Sequence, residues 1–340
     1  MTEQVLVTGA SGFIATHCII QLLEKGYNVR GTLRTMSRAD EIRGIIGQHT
    51  DKVGNLTFAE ADLTKDEGWK EAAEGCPLIL HVASPFPLDN PKDENELIIP
   101  ARDGALRLLR AAKETGARKV VLTSSMAAIM YGFKKQPDRP FNENDWSPLK
   151  GPGHTPYTKS KTIAEMAAWE FMEKENPGFG LSVVNPGAVL GPVLESDVGT
   201  SAQLVQMLLQ GALPGLPPMA FPIVDVRDVA DLHIRAMETE AANGHRFVCV
   251  NGTMWMKDMA ALLKEKFPEH TKKTPTKVLP VFMLRIAAMM GKFPKAGLRE
   301  LNKWREGNNT MARVTVGWAP RSAEDAVLAT AQSLIDLKLV

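Results

Sequence analysis

Val7-Thr8-Gly9-Ala10-Ser11-Gly12-Phe13-Ile14-Ala15 lies near the start of the 340-residue chain, and its reading decides the fold. The apolar run Val5-Leu6-Val7 before it reads as a buried strand, and residues 13–25 after it have helical apolar spacing that stops at Gly26. Gly9 admits a backbone angle closed to other residues, Gly12 lets a pyrophosphate approach the main chain, and Ala15 is small enough for close packing of helix on strand. The helix N-terminus then offers free N–H groups and a positive dipole end to phosphates. A lone glycine triplet is weak, but one that joins a strand to a helix reads as a dinucleotide-binding turn.

Outward from this turn, strand-like and helix-like segments alternate. Residues 27–33, 56–59, 78–82, 119–122 and 181–184 read as strands; residues 94–115, with a bend possible at Pro100, and 155–176 read as long helices. Repeated strand-helix-strand units need crossover connections, hence a Rossmann-type α/β fold: a doubly wound parallel sheet with helices on both faces. Residues 1–185 are expected to form the nucleotide-binding domain, with a helix and strand returning to the sheet near 222–250. After Asn185-Pro186-Gly187 glycine and proline become dense, so residues 186–340 are expected to be mainly helical and substrate-binding.

Apolar residues make up 44% and charged residues 23%, and lysine plus arginine exceed aspartate plus glutamate by one, 40 against 39. This balance gives no electrostatic reason to expect nucleic acid or a membrane as partner. Cys18, Cys76 and Cys249 lack metal-ligand or redox spacing and read as buried free thiols, and the scattered histidines suggest no metal. The first residues do not resemble a signal peptide, so a cytoplasmic location is expected. The apolar helix across residues 278–290 is interrupted by Arg285 and too short to span a bilayer; domain core or a subunit contact is its expected role.

An acidic residue at the end of the second strand would bind the ribose hydroxyls of NAD. Arg30-Gly31-Thr32-Leu33-Arg34 stands there instead, so Arg34, with Arg38 one turn on, is expected to grip the 2′-phosphate of NADP(H). Asp62, after the third strand, is placed either to accept from the adenine amino group or to cap its own loop. Tyr157 and Lys161 lie four apart on a helix that Thr155 caps and Pro156 begins. A nearby ammonium should lower the phenol's pKa from about 10, which fits Tyr157 to give a proton to a carbonyl oxygen. The strand end Thr123-Ser124-Ser125 supplies hydroxyls at the sheet's carboxyl edge that could hold a carbonyl and orient Tyr157; turn capping is the alternative role, assigned more readily to Ser124 than to Ser125.

Together these motifs resemble the extended short-chain dehydrogenase/reductase family, in particular its dihydroflavonol-reductase-like branch of NADPH carbonyl reductases. Ala61-Asp62-Leu63-Thr64, His81-Val82-Ala83-Ser84-Pro85, residues 185–192 and residues 224–230 extend the resemblance through most of the chain. It implies a catalytic triad at Ser125, Tyr157 and Lys161. It further implies cofactor contacts at Gly9, Ser11, Gly12, Phe13, Ile14, Arg34, Arg38, Asp62, Leu63, Val82, Ala83, Thr123, Pro186, Gly187 and Val189, beside Tyr157 and Lys161. The implied reaction is NADPH-dependent reduction of an aldehyde, ketone or ketoester. Phe86, Met126, the loop 132–156 and residues 207–221 are candidate substrate walls. Residues 151–156 lack the aromatic-cysteine signature of cinnamoyl-CoA reductases, which argues against that substrate. The rivals are an NAD-dependent nucleotide-sugar epimerase or dehydratase and a non-catalytic NADP-sensing regulator; monomer or homodimer stays open.

Overall fold

The computed structural model describes residues 3–85, 91, 93–196 and 198–340. Seven strands form one sheet: β1 (Gln4–Val7), β2 (Asn28–Leu33), β3 (Leu56–Glu60), β4 (Leu78–His81), β5 (Lys119–Thr123), β6 (Gly180–Pro186) and β9 (Arg246–Cys249). Their order is β3-β2-β1-β4-β5-β6-β9, and every neighbouring pair is parallel. The order reverses between β1 and β4, the switch point outside whose carboxyl ends open α/β sheets bind ligands.

Side-chain alternation explains why both faces are covered. Val5 and Val7 of β1 join the buried cluster with α1 (Phe13–Glu24) and α7 (Val226–Glu238), while Leu6 between them joins the cluster of α4 (Asn95–Glu114) and α5 (Pro156–Glu175). Val121 and Val184 face the first cluster; Val120, Leu122, Leu181 and Val183 face the second. A strand read on both faces in this way must be apolar throughout, as these strands are. The shorter helices α2 (Ala39–Gly47) and α3 (Trp69–Ala73) complete the two layers through Ile42 and Ile46 on one side and Trp69, Ala72 and Ala73 on the other.

Residues 186–340 are rich in helix, and they also carry a small sheet that sequence reading did not foresee. Three short strands, β7 (Ala188–Leu190), β8 (Ala220–Asp225) and β10 (Thr253–Trp255), make a second sheet in the order β10-β8-β7. Helices α6 (Thr200–Gln210), α8 (Met256–Lys266) and α11 (Ala323–Asp336) cover it. Strands β7 and β10 have three residues each and β8 has six with a proline inside, too little alternation to be read from sequence. Gly187 is where the chain leaves the large sheet for the small one: a Cβ there would lie 2.3 Å from the Pro222 carbonyl oxygen.

The helix expected across residues 278–290 is α9 (Val281–Met289), which starts after Pro280. The domain-core expectation fails. Only Leu284 and Ala288 of α9 are buried, and most of its apolar side chains face outward. Helix α10 (Thr310–Val316) packs on the large sheet's first layer through Ala312 and Val316.

Candidate active site

The glycine turn forms as its residues require. Gly9 has φ +70°, and a Cβ on it would lie 3.1 Å from Ala83 of the loop after β4. Gly12 is the N-cap of α1, with no side chain to cap the first-turn amides, so these stay open toward the crevice. Ala15 is fully buried against the sheet, and Ser11, Phe13 and Ile14 are half-buried along the turn. Two threonines that sequence reading passed over hold this turn. Thr32 Oγ1 accepts from the Gly9 amide at 2.9 Å. Thr8 Oγ1 accepts from the Ala83 amide at 2.9 Å and is hydrogen-bonded to His81 Nδ1 at 2.9 Å. His81 is held neutral: burial first, then the Lys161 charge, depress its pKa to about 3. The loop carrying Val82 and Ala83 is thus tied across the switch point to the glycine turn, a cradle whose shape fits a dinucleotide.

Arg34 is exposed just after β2, and its charge helps hold the Asp62 carboxyl below its usual range; the largest cause there is the Thr64 amide. Asp62 Oδ1 accepts from both Thr64 N and Thr64 Oγ1 at 2.8 Å, which is the loop-capping alternative. Leu63 packs beneath α4, where a Cβ on Gly104 would meet its side chain at 2.6 Å. Arg38 Nε and Nη2 donate to Glu41 at 2.9 and 3.1 Å, so its fork is engaged on its own helix turn.

The serine pair also reverses one expectation. Ser125, not Ser124, caps the turn after β5, accepting from the Ala127 amide at 3.1 Å. Ser124 points inward, and its hydroxyl donates to Glu165 Oε2 at 2.6 Å. The reason is strand alternation: Ser124 faces the α5 layer, where a buried carboxylate waits. Ser125 remains at the crevice and hydrogen-bonds the Tyr157 hydroxyl. Thr123 gives its hydroxyl to His233 Nε2 at 2.7 Å; because His233 Nδ1 must donate to the Val229 carbonyl, Nε2 accepts.

Helix α5 begins with the expected cap. Thr155 Oγ1 accepts from Thr158 N at 3.2 Å, Thr158 Oγ1 accepts from Thr155 N at 2.9 Å, and Pro156 opens the helix. Tyr157 and Lys161 share one face, with Lys161 Nζ 5.9 Å from the tyrosine ring centroid. Lys161 Nζ donates to Ser84 Oγ at 2.8 Å. Burial lowers its pKa to about 8, opposed by the charge of Glu165. The expected lowering of the Tyr157 phenol is not what this environment produces. Burial raises it, only the Ser125 hydrogen bond opposes this, and the ammonium is drawn toward Ser84.

Glu165, one turn beyond Lys161, is a buried junction. It accepts from Arg246 Nε and Nη2 at 2.5 and 3.2 Å, from Asn185 Nδ2 at 2.8 Å and from Trp169 Nε1 at 3.3 Å, besides Ser124. Asn185 Nδ2 also donates to the Ser125 carbonyl at 3.2 Å. The network fixes β5, β6, β9 and α5 together beneath the Ser125–Tyr157 pair. Its sequence signal was a carboxylate at Glu165, four residues after Lys161 and so on the same helix face.

Of the expected substrate walls, Phe86 lies outside the described residues. Met126 is only 1% exposed and packs with Ile129, Phe141, Val248 and Val250, so its side chain belongs to the core, not to a wall. The loop 132–156 does line a cavity of about 300 Å³, through Gly132, Phe133, Pro152 and Gly153. Tyr131 and the segment Glu300 to Arg305 complete it, a wall that sequence reading missed. The Arg305 guanidinium lies 4.8 Å from the Tyr131 ring centroid and pairs with Glu300 at 2.5 Å. A second cavity of about 400 Å³ is bordered by Pro217, Pro218 and Met219. Val189 is half-buried in β7, and Pro186 ends β6 in the interior.

The sequence model of the NAD dependent epimerase/dehydratase family matches residues 5–249, which spans the whole large sheet. The chain belongs to this family. Within the NAD dependent epimerase/dehydratase family it is 35% identical over 301 residues to cinnamoyl-CoA reductase 1 of Petunia hybrida, covering 88% of this chain and 86% of that protein. It is 33% identical over 286 residues to the NADPH-dependent methylglyoxal reductase GRE2 of Saccharomyces cerevisiae, covering 78% of this chain and 82% of the relative. The crystal structure of yeast methylglyoxal/isovaleraldehyde reductase Gre2 complexed with NADPH superposes with a TM-score of 0.80 at 28% identity, over 98% of this chain and 99% of the other. These relatives fall in the extended short-chain dehydrogenase/reductase branch of carbonyl reductases that the motifs resemble.

Proposed function

We propose that the chain is an NADPH-dependent reductase of aldehydes and ketones, with Ser125, Tyr157 and Lys161 as its catalytic residues. The observation that carries this reading is the Ser125–Tyr157 hydrogen bond at the carboxyl edge of β5, with Lys161 on the same helical face and the glycine turn of α1 across the switch point. The yeast relative named for NADPH and methylglyoxal, and its structure with NADPH, support the cofactor and the carbonyl class.

The cradle at Gly9, Ser11, Gly12, Phe13 and Ile14 would hold the pyrophosphate on the first-turn amides. Arg34 would meet the 2′-phosphate, with Arg38 joining only by giving up Glu41. Asp62 and Leu63 would border the adenine, Val82, Ala83 and Thr123 the ribose side, and Pro186, Gly187 and Val189 the nicotinamide. When bound, NADPH supplies the hydride. Ser125 holds the carbonyl oxygen within reach of Tyr157. Tyr157, kept protonated by its buried setting, gives its proton to that oxygen as the carbonyl carbon is reduced. Lys161 stabilises the phenolate that remains and is itself steadied by Ser84 and the charge of Glu165. Tyr131 and the Glu300 to Arg305 segment would border the substrate.

NADPH oxidation, followed by absorbance with methylglyoxal, branched aldehydes, ketoesters and cinnamoyl-CoA, tests the proposal. Turnover of an aldehyde or ketone is expected, and Tyr157→Phe should lower it about a hundredfold or more while leaving NADPH binding intact. Unchanged turnover in Tyr157→Phe would sink the catalytic assignment. Reduction of cinnamoyl-CoA alone would replace the substrate class with a thioester.

A further inference from the structure

The net charge of +1 conceals an uneven distribution. Residues 270–299 carry seven cations, Lys272, Lys273, Lys277, Arg285, Lys292, Lys295 and Arg299, and no acidic residue. The remainder of the chain therefore holds six more acidic than basic side chains. Among these seven, only Lys272 has an ion-pair partner among the described residues, Glu269 at 2.6 Å. All seven are exposed.

The middle of this segment is α9, and its apolar face points the wrong way for a core helix. Leu284 and Ala288, four residues apart, dock it to the body. Phe282, Met283, Ile286, Met289 and Met290, spaced at helical intervals of three, four and seven, form one outward stripe with exposures from 46% to 86%. A stripe of large apolar side chains flanked by unpaired cations is the composition of a helix that lies in a membrane interface. Among the described residues no helix is long and apolar enough to cross a membrane, so the chemistry is that of a surface contact, not a span.

We infer that α9 and its basic flanks dock on an anionic lipid surface. The outward stripe enters the boundary between headgroups and acyl chains, while Arg285, Lys292 and Lys295 meet lipid phosphates and carboxylates. A second copy of the chain is the poorer occupant, because a two-fold contact would set one cationic face against its identical twin. The segment also runs directly into Glu300 and the cavity wall, so docking would bring the cavity side of the molecule toward the bilayer.

The test is sedimentation with vesicles of phosphatidylcholine alone and with about 30% phosphatidylserine. Binding is expected to the mixed vesicles only, and to fall as salt rises. Lys292→Glu with Lys295→Glu should weaken it by about tenfold or more. Phe282→Ser with Met289→Ser should abolish it, with the melting temperature unchanged because these side chains touch solvent. Failure to bind the mixed vesicles, or equal binding to both kinds, would overturn the inference. So would light scattering that finds a dimer split into monomers by Phe282→Ser with Met289→Ser, which would give the face to a second copy. None of these readouts depends on turnover.

Discussion

Lys161 sits between opposing influences: burial favours its neutral form, while Ser84 and the charge of Glu165 favour the ammonium. His81, also beside it, is neutral and adds no charge. With a pKa near 8, Lys161 loses its proton before Tyr157 does, so reduction should decline above about pH 8 as the lysine titrates. The pH profile of kcat checks this. Lys161→Arg, whose guanidinium stays charged, should be slower but lack that alkaline limb. Arg34 makes the other prediction at this scale. Arg34→Ser should raise the KM for NADPH about tenfold and leave that for NADH nearly unchanged, since one charge-assisted contact to the 2′-phosphate would be lost. Arg34, Tyr157 and Lys161 were legible in the chain because each sits at a fixed offset from a recognisable turn or cap. Ser84, Thr8 and Thr32 were not: a hydroxyl has no sequence signature until folding shows which amide or ammonium lies opposite it. The same holds for the exchange of roles between Ser124 and Ser125, which depends on the face each strand position takes.

Elements constrain the site through close approaches. Gly31 of β2 lies under the glycine turn, where an added Cβ would come 2.7 Å from Ala10 Cβ and 3.1 Å from Phe58. Gly31→Ala should therefore push the turn outward, costing about 1–3 kcal/mol of stability and weakening cofactor binding. Chemical denaturation and titration of NADPH fluorescence would measure the two effects. A loss of stability with unaltered binding would mean that Phe58 yields and the turn does not. The strands of the large sheet and helices α1, α4 and α5 were readable because their apolar pattern runs for whole elements and ends at glycines or caps. Strands β7, β8 and β10 were not, because their pairing is set by Gly187 and by contacts distant in sequence. Helix α9 was found, but the core role expected as one alternative fails, since apolar spacing identifies a helix and not the direction its stripe faces.

At the scale of the whole molecule, three histidines are stored neutral. His17 and His233 are lowered to about 4 and His81 to about 3, in each case chiefly by burial. In the unfolded chain they protonate near pH 6.5. The unfolded state therefore binds more protons between about pH 6.5 and 4, and stability falls as pH falls through that window. Each histidine contributes up to about 1.4 kcal/mol per pH unit. The melting temperature should be flat from pH 7 to 8 and fall steadily below 6.5. A flat profile down to pH 5 would show that these rings are hydrated in the native state.

Strand β6 acquires its outer neighbour late. Its partner β9 begins at Arg246, 60 residues after Pro186, and the intervening chain builds part of the second sheet first. At about 5–20 residues per second, a ribosome leaves the edge of β6 bare for about 3–12 seconds, with Glu165 awaiting the guanidinium of Arg246. During that interval Leu181, Val183 and Val184 border an open hydrogen-bonding ladder, the kind of edge that recruits strands from other nascent chains. Yield in cells should thus depend on elongation speed and chaperone supply across this stretch, and a fragment ending near residue 240 should aggregate where the full chain does not.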